Sequence, residues 1–231
     1  MADAPDTPRR RRAARRAFVR QRARRHPAFL RAVAADARCA LASRGMPARD
    51  LGRLALANEI WHLAVESDAF LALICYRAKA RLQAFRVPLL PAILHRFAIM
   101  IGQVSIGDPV LIAPGIYLPH GQVVIDGLVE IGESTAIRPW VTIGLAEGVL
   151  RGPTIGGGVR IGTGAKVIGP VTIGNGARIG ANAVVLIDVP SDSTAVGVPA
   201  RVLPLEWLGS GLPDPESSTP SGLRRRRGDA G

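Results

Sequence analysis

Residues 155–186 read IGGGVRIGTGAKVIGPVTIGNGARIGANAVVL, and in this stretch an aliphatic residue returns at every sixth position. The same spacing begins at Ile125 and continues to Val185 if Val149 is counted as a weak member. A period of six fits neither an amphipathic helix nor a plain alternating strand, and it is typical of a hexapeptide β-helix. The pattern therefore predicts a mainly β fold in which three hexapeptides make one triangular coil.

The six-residue spacing also predicts which residues meet inside the coil. Frames led by Ile106, Ile112 and Leu118 come first, and one extra residue then shifts the register before Ile125. From there on, residues 18 positions apart should stack, at the ordinary spacing of neighbouring strands. The expected pairs are Ile125 with Ile143, Ile155 with Ile173, Ile161 with Ile179, and Val167 with Val185.

Two segments depart from the repeat, and such departures usually form loops on the surface of a solenoid. Residues 145–154 lose the consensus except at Val149, and residues 189–201 mark the end of the coil.

The first hundred residues show no strand-like alternation and predict a small helical domain. Helices are expected from about Pro27 to Arg44, from Pro47 onward, after the capping residues Ser67 and Asp68, and from about Ala92 to Met100. The second helix has Leu51, Leu54, Trp61 and Val65 at helical spacing. The expected division is a disordered Arg-rich tail at 1–25, a helical domain at 26–100, the β-helix domain at 101–206 and a second disordered tail at 207–231.

Composition excludes several classes of protein. The net charge of +12 comes largely from arginine runs near the two ends, and these runs lack interleaved aromatic residues, so nucleic acid is not an expected partner. The two cysteines, Cys39 and Cys75, do not make a disulfide framework and do not indicate a metal site. The longest apolar run, residues 69–76, is too short to cross a membrane. A cytoplasmic protein is expected.

Four segments of the repeat together resemble the serine O-acetyltransferases and the wider hexapeptide acyltransferases. The resemblance covers roughly residues 70–204, including LQAFR at 82–86. Its densest parts are GIYLPHGQ at 115–122, VTIG at 141–144, GAKVIG at 164–169 and GVPAR at 197–201.

The resemblance implies a left-handed β-helix that forms a homotrimer, with acetyl-CoA as co-substrate and no metal. By the same resemblance His120 matches the general base, which takes the proton of an alcohol as it attacks a thioester. Backbone or polar groups near residues 141–144 would hold the oxyanion. The residues implied for coenzyme binding are Thr142, Gly144, Gly164, Ala165, Lys166, Ala183, Pro199 and Arg201, and those implied for the acceptor are Asp68 and Arg151.

Two positions depart from the family pattern. The family has an aspartate directly before the general base, where this chain has Pro119, and a histidine after the loop arginine, where this chain has Gly152 after Arg151. Both departures put the acceptor in doubt and leave open which carboxylate orients His120. Asp126, Glu130, Glu133 and Glu147 are the candidates by proximity in sequence.

Three functions therefore remain open. The leading one is acetyl transfer to the hydroxyl of serine, as in cysteine biosynthesis; the others are acetyl transfer to a sugar hydroxyl in polysaccharide synthesis and a non-catalytic trimeric scaffold. A zinc hydratase on the same solenoid would need about three histidine ligands among the coils, where only His120 is present. A sugar nucleotidyltransferase would need a nucleotide-binding α/β domain before the repeat, and the predicted helices leave no room for one.

Overall fold

The computed structural model describes residues 17–46, 48 and 51–203. Within that part, a helical region leads into a β-helix built of short strands. The arginine runs at 9–12 and 224–227 and the predicted helix start at Pro47 lie outside the described residues. The helices are α1 (described over residues 17–23), α2 (Phe29–Ser43), α3 (Arg53–Glu66), α4 (Asp68–Ala84) and α5 (Leu90–Gly102).

The helix termini follow from local sequence. Ser67 is the N-cap of α4, and its hydroxyl accepts a hydrogen bond from the Phe70 N–H at 3.3 Å, as predicted. Pro91 lies in the first turn of α5, where the missing N–H leaves no hydrogen bond unmade. The helical spacing of apolar residues predicted that α3 exists, but it did not predict which side of the helix is buried. Leu56 and Leu63 face the core, whereas the expected apolar residues Leu54, Trp61 and Val65 are 89%, 68% and 66% exposed.

The strands form three mostly parallel sheets, which are the three sides of a prism. Sheet I contains β1, β3, β6, β9 and β12; sheet II contains β2, β4, β7 and β10; sheet III contains β5, β8, β11, β13 and β14. The strands are β1 (Val104–Ile106), β2 (Leu111–Ile112), β3 (Val123–Ile125), β4 (Leu128–Ile131), β5 (Ala136–Ile137), β6 (Thr142–Gly144), β7 (Arg151–Ile155), β8 (Arg160–Ile161), β9 (Lys166–Ile168), β10 (Thr172–Ile173), β11 (Arg178–Ile179), β12 (Val184–Val185), β13 (Thr194–Val196) and β14 (Arg201–Leu203).

The predicted stacking is confirmed. Each expected pair is in register, and the paired side chains are buried in one continuous aliphatic core. Ile106 pairs with Ile125, 19 positions on, which confirms that the first coil holds one extra residue. That residue lies between Leu118 and Ile125, the segment that contains His120.

The irregular segment after Gly144 corrects the predicted frame. Ile143 pairs with Val167, 24 positions on rather than 18, so six residues have been added to this coil. The strand resumes at Arg151, and residues 145–150 form the excursion. Counting Val149 in the frame was therefore wrong. The expected loop over 145–154 is shorter than predicted because residues 151–155 join sheet II between β4 and β10.

The N-terminal segment up to residue 25, which the sequence assigned to a disordered tail, contacts the β-helix over its described part. The Arg22 guanidinium donates a hydrogen bond to the Pro109 carbonyl at 2.6 Å and lies 3.2 Å from the Glu130 carboxylate. Arg25 lies 3.1 Å from the same carboxylate. Arg22 and Arg25 therefore form ion pairs with the β-helix. Counting charges along the sequence cannot distinguish such paired arginines from solvated ones.

A buried ion pair joins the helices to the first coil. Arg77 of α4 and Asp36 of α2 lie 2.9 Å apart with side chains 2% and 1% exposed. Asp36 Oδ1 also accepts hydrogen bonds from the backbone N–H groups of Gly115 and Ile116, at 2.8 and 2.9 Å. Arg77 donates to the carbonyl oxygen of Ile112 at 2.6 Å. Helical domain and solenoid are thus fixed to each other immediately before the His120 segment.

Candidate active site

His120 lies at the edge of the prism where sheet III turns into sheet I. Before it, Tyr117 forms a parallel bridge to Ala136 of sheet III, and after it Val123 begins the second strand of sheet I. The turn ends at Gln122, which has a left-handed backbone (φ 56°) and whose carbonyl accepts the Trp140 N–H at 2.8 Å. His120 itself is exposed. The extra residue of the first coil therefore presents an exposed imidazole at a corner where the other coils turn tightly.

The His120 turn is packed against the helical domain through glycine. A methyl group at Gly121 would overlap the carbonyl oxygen of Gly102, the last residue of α5. A methyl group at Gly102 would in turn come within 2.8 Å of the carbonyl oxygen of Asp68, the first residue of α4. Two glycines thus bring the backbone of Asp68 and the turn of His120 together.

Asp68 and His120 line one cavity of about 420 Å³, between the start of α4, the end of α5 and the corner of the prism. The predicted pairing of a general base with an acceptor-binding carboxylate is spatially possible, although the two residues are 52 positions apart in the sequence. Trp140, at the next corner down, forms part of the wall, and Pro119 lies beside His120.

Two further charged residues line the cavity, and sequence reasoning missed both. Arg44 follows the last residue of α2, and Glu66 ends α3; their charged groups lie 3.6 Å apart. Neither belongs to a motif or to a hydrophobic period. Glu66 is two residues before Asp68 in the chain, whereas Arg44 is brought beside them by the packing of α2 against α3 and α4.

The four carboxylates suggested as partners of His120 are not among the cavity's lining residues. Asp126 packs against Gly107 on the far side of sheet I, and Glu130 pairs with Arg22 and Arg25. Glu133 and Glu147 do not line the cavity either. The carboxylates that do line it, Glu66 and Asp68, come from the helical domain.

Several of the predicted coenzyme residues lie along the same edge of the prism. Four left-handed residues stack there, and we call this column the His120 edge: Gln122 (φ 56°), Trp140 (64°), Gly164 (76°) and Asn182 (56°). A side chain at Gly164 would run into the amide of Asn182, so the edge stays flat at this coil.

Two polar residues of the coenzyme set flank that edge on sheet I. Thr142 and Lys166 are neighbours in register, and the Lys166 ammonium donates to the Trp140 carbonyl at 2.6 Å. Ala165 and Ala183 are fully buried with their side chains inside the prism, so only their backbone could meet a ligand.

The other members of the coenzyme set lie at the opposite end of a sheet I strand or at the last coils of the prism. Gly144 ends β6, opposite Ile168. The closing turn packs on sheet I because the Ala200 N–H donates to the Val184 carbonyl at 2.8 Å, and this places Pro199 and Arg201 near β12. Both side chains are exposed. The coenzyme-binding roles of these residues remain predictions.

The structure places Arg151 apart from the cavity. It begins β7 on sheet II, in register with Leu128, and its side chain is exposed. Gly152 is buried, and a methyl group there would come within 2.9 Å of Val129 and 3.3 Å of Leu145. The backbone at this position therefore has no room for the histidine that the family pattern has there.

Among the residues that the structure describes, no group of three or more His, Cys, Asp or Glu side chains is arranged to hold a metal ion. In the same part of the chain, no helix is long and apolar enough to cross a membrane.

Comparison with known proteins agrees with this architecture. Residues 152–186 match the family model described as bacterial transferase hexapeptide (six repeats). A serine acetyltransferase of Helicobacter pylori strain J99 is 38% identical over 151 residues, which cover 64% of this chain and 88% of the relative. This chain belongs to the serine acetyltransferase family.

Other members of that family match over a smaller share of their length. The serine acetyltransferase of Synechococcus elongatus is 38% identical over 137 residues, which cover 58% of this chain and 56% of the relative. The soybean serine acetyltransferase in complex with serine has a TM-score of 0.65 at 34% identity, covering 77% of this chain and 70% of that one. The likeness confirms the left-handed β-helix that the resemblance implied.

Proposed function

We propose that this chain is a serine O-acetyltransferase, which moves the acetyl group of acetyl-CoA to the side-chain hydroxyl of serine. The observation that carries the proposal is the cavity shared by His120 and Asp68. It combines an exposed imidazole, the side chain most often used as a general base, with carboxylates suited to an ammonium group. The product, an activated serine ester, would feed cysteine synthesis.

In this proposal His120 acts as general base. An alcohol is a weak nucleophile at neutral pH, so the imidazole takes the hydroxyl proton while the oxygen attacks the thioester carbonyl. The tetrahedral oxyanion is held by hydrogen-bond donors near residues 141–144. When the carbon–sulfur bond breaks, the imidazolium returns its proton to the leaving thiolate. No acyl-enzyme is required.

The His120 edge is the proposed path of the coenzyme. Gly164 keeps the edge flat, so that a thin chain such as pantetheine could lie against the backbone. Lys166 and Arg201 are the cations proposed for the phosphates. The proposal includes a homotrimer with the coenzyme between neighbouring subunits, and a cytoplasmic location, where acetyl-CoA is available.

The test is the release of free thiol from acetyl-CoA with serine, homoserine and amino sugars as acceptors. We expect turnover with serine, and a loss of about 10²- to 10⁴-fold in His120→Gln, the usual contribution of a general base. His62→Gln, on the exposed side of α3, is the matched control and should keep full activity. Turnover with amino sugars alone would support polysaccharide acetylation instead. Absence of turnover with every acceptor would support the scaffold.

A further inference from the structure

Trp140 has a backbone conformation that is unusual for its residue type. Two coils of the His120 edge turn at Gly164 and Asn182, and glycine and asparagine are the residues that most readily adopt a left-handed backbone. A bulky side chain rarely does so, yet Trp140 has φ 64°. Such a conformation costs free energy and is found most often at functional positions. The turn at this coil therefore carries a cost that glycine or asparagine would avoid.

The neighbouring coils hold Trp140 in this conformation. Its N–H donates to the Gln122 carbonyl at 2.8 Å, and its own carbonyl accepts a hydrogen bond from the Lys166 ammonium at 2.6 Å. The preceding residue, Pro139, has a fixed φ, and its carbonyl accepts the Gly164 N–H at 2.9 Å. The backbone is thus bonded to the coils on both sides, which fixes the direction of the Cα–Cβ bond of Trp140.

The indole of Trp140 does not belong to the core of the subunit. It is 60% exposed, and within the described part of the chain it makes no ring contact and its N–H donates no hydrogen bond. Packing inside the subunit therefore does not offset the cost of the backbone conformation. The indole is available to a ligand or to a neighbouring subunit.

The two sides of the cavity differ in polarity. The helical domain supplies charged groups, among them the Asp68 carboxylate, whereas the solenoid supplies His120 and the rings of Pro119, Pro139 and Trp140. Of the groups that take part in the proposed reaction, the methyl of the acetyl group is the apolar one. An apolar wall on the solenoid side suits that methyl group.

The proposed path of the coenzyme brings its acyl group past Trp140. The coil of Trp140 is hydrogen-bonded directly to the His120 turn, through Gln122, and neighbouring coils are about 4.8 Å apart. A thioester carbonyl within reach of the hydroxyl that His120 activates therefore lies beside the indole. In the proposed trimer the neighbouring subunit would close the groove from its other side. A longer acyl chain would have to displace an indole whose backbone is fixed.

We propose that the indole of Trp140 forms the wall of the acyl pocket and thereby restricts the donor to short acyl groups such as acetyl. The inference rests on the proposed acetyltransferase function and names the residue that sets the length of the acyl group.

The test compares acetyl-CoA with propionyl-CoA as donors to serine, in the wild type and in Trp140→Asn. We expect the wild type to favour acetyl-CoA about 10- to 200-fold in kcat/KM, the usual discrimination for one methylene group. In Trp140→Asn this ratio should fall about tenfold, mainly because propionyl transfer becomes faster. Trp140→Phe, which keeps a smaller aromatic wall, should give an intermediate ratio.

Two further measurements separate this role from a structural one. The urea midpoint of Trp140→Asn should equal or exceed that of the wild type, because asparagine adopts the left-handed backbone more readily, as Asn182 does at the same edge. Sedimentation velocity should show the same oligomer for both proteins. Trp61→Asn, which changes an exposed tryptophan of α3 outside the cavity wall, is the matched control and should keep the wild-type ratio of the two donors.

Several results would overturn the role of Trp140 and leave the proposed function standing. These are equal use of both donors by the wild type, an unchanged ratio in Trp140→Asn, or an equal loss of both activities in that variant. A change of oligomer in Trp140→Asn would also overturn it, since the indole would then be a contact between subunits. If the wild type releases no thiol from either donor with any acceptor, the inference and the proposed function are both overturned.

Discussion

Gly121 lies directly against the carbonyl oxygen of Gly102, so closely that no side chain fits between the His120 turn and the end of α5. Because of this contact, residues of both the helical domain and the solenoid line the cavity. The solenoid supplies the imidazole, the helices supply the carboxylates, and two glycine backbones set the separation between them. The distance from base to acceptor thus depends on a residue that carries no functional group.

Substitution of Gly121 by alanine should therefore lower the rate of acetyl transfer strongly while lowering the free energy of unfolding only moderately. The added methyl group overlaps the Gly102 carbonyl and must push the turn away from α5. Overpacking of this kind costs about 1–3 kcal/mol of unfolding free energy. A displacement of about 1 Å at a reacting group can lower the rate about a hundredfold. Thiol-release kinetics and urea denaturation measure the two effects separately.

Gly52→Ala is the matched control for this prediction, because a methyl group at Gly52 meets nothing within 4 Å. As a weaker N-cap of α3 it should lower stability by about 0.5–1 kcal/mol, with unchanged kinetics. Full activity in Gly121→Ala would show that the contact with Gly102 does not position His120.

Lys166→Met should weaken the binding of acetyl-CoA specifically through its phosphates. The proposed role predicts a KM for acetyl-CoA about tenfold higher, as for loss of one charged hydrogen bond, and an unchanged KM for acetyl-pantetheine, which has no nucleotide phosphates. Arg160→Met, an exposed cation on sheet III, is the control. If Lys166 only secures the edge through its hydrogen bond to the Trp140 carbonyl, both donors will be affected equally.

The sequence predicted the solenoid well because its core imposes a strict period. Pairs such as Ile161 and Ile179 must both point inward, and a slip by one residue would turn them outward. The same logic located the extra residue before Ile125. It failed at Val149, since an aliphatic residue in an excursion has the same appearance in the sequence as one in the core.

The site was harder to predict than the fold. Arg44 and Glu66 lie at helix ends, where no period or motif identifies them, and only tertiary packing brings Arg44 to Glu66 and Asp68. The sequence did contain one indication of the contact between the helical domain and the solenoid. Arg77 and Lys79 interrupt an otherwise apolar stretch of α4, and charged residues in such a setting are usually paired when buried. Both are buried with carboxylate partners, Asp36 and Asp108.

Removal of the Arg77 side chain should be among the most destabilising changes in the chain. Arg77→Met leaves the Asp36 carboxylate buried without its counterion, which typically costs about 3–5 kcal/mol. Arg25→Met breaks an ion pair whose arginine is 57% exposed and should cost less than about 1 kcal/mol. Urea denaturation followed by circular dichroism compares the two. Equal and small losses would mean that the buried pair does not hold the domains together.

His26 should make the folded state sensitive to mild acid. Burial, followed by the charges of Arg77 and Lys79, lowers the pKa of His26 to about 4, against about 6.5 in an unfolded chain. Between these values the unfolded chain binds a proton that the folded chain does not, so stability falls as the pH drops from about 6.5 to 4, by at most about 3 kcal/mol. In His26→Gln the decline over this range should be smaller by that amount, while His62→Gln keeps the wild-type slope. The measurement is the free energy of unfolding of each protein at half-unit pH steps. Parallel curves for His26→Gln and the wild type would show that His26 does not cause the loss of stability in acid.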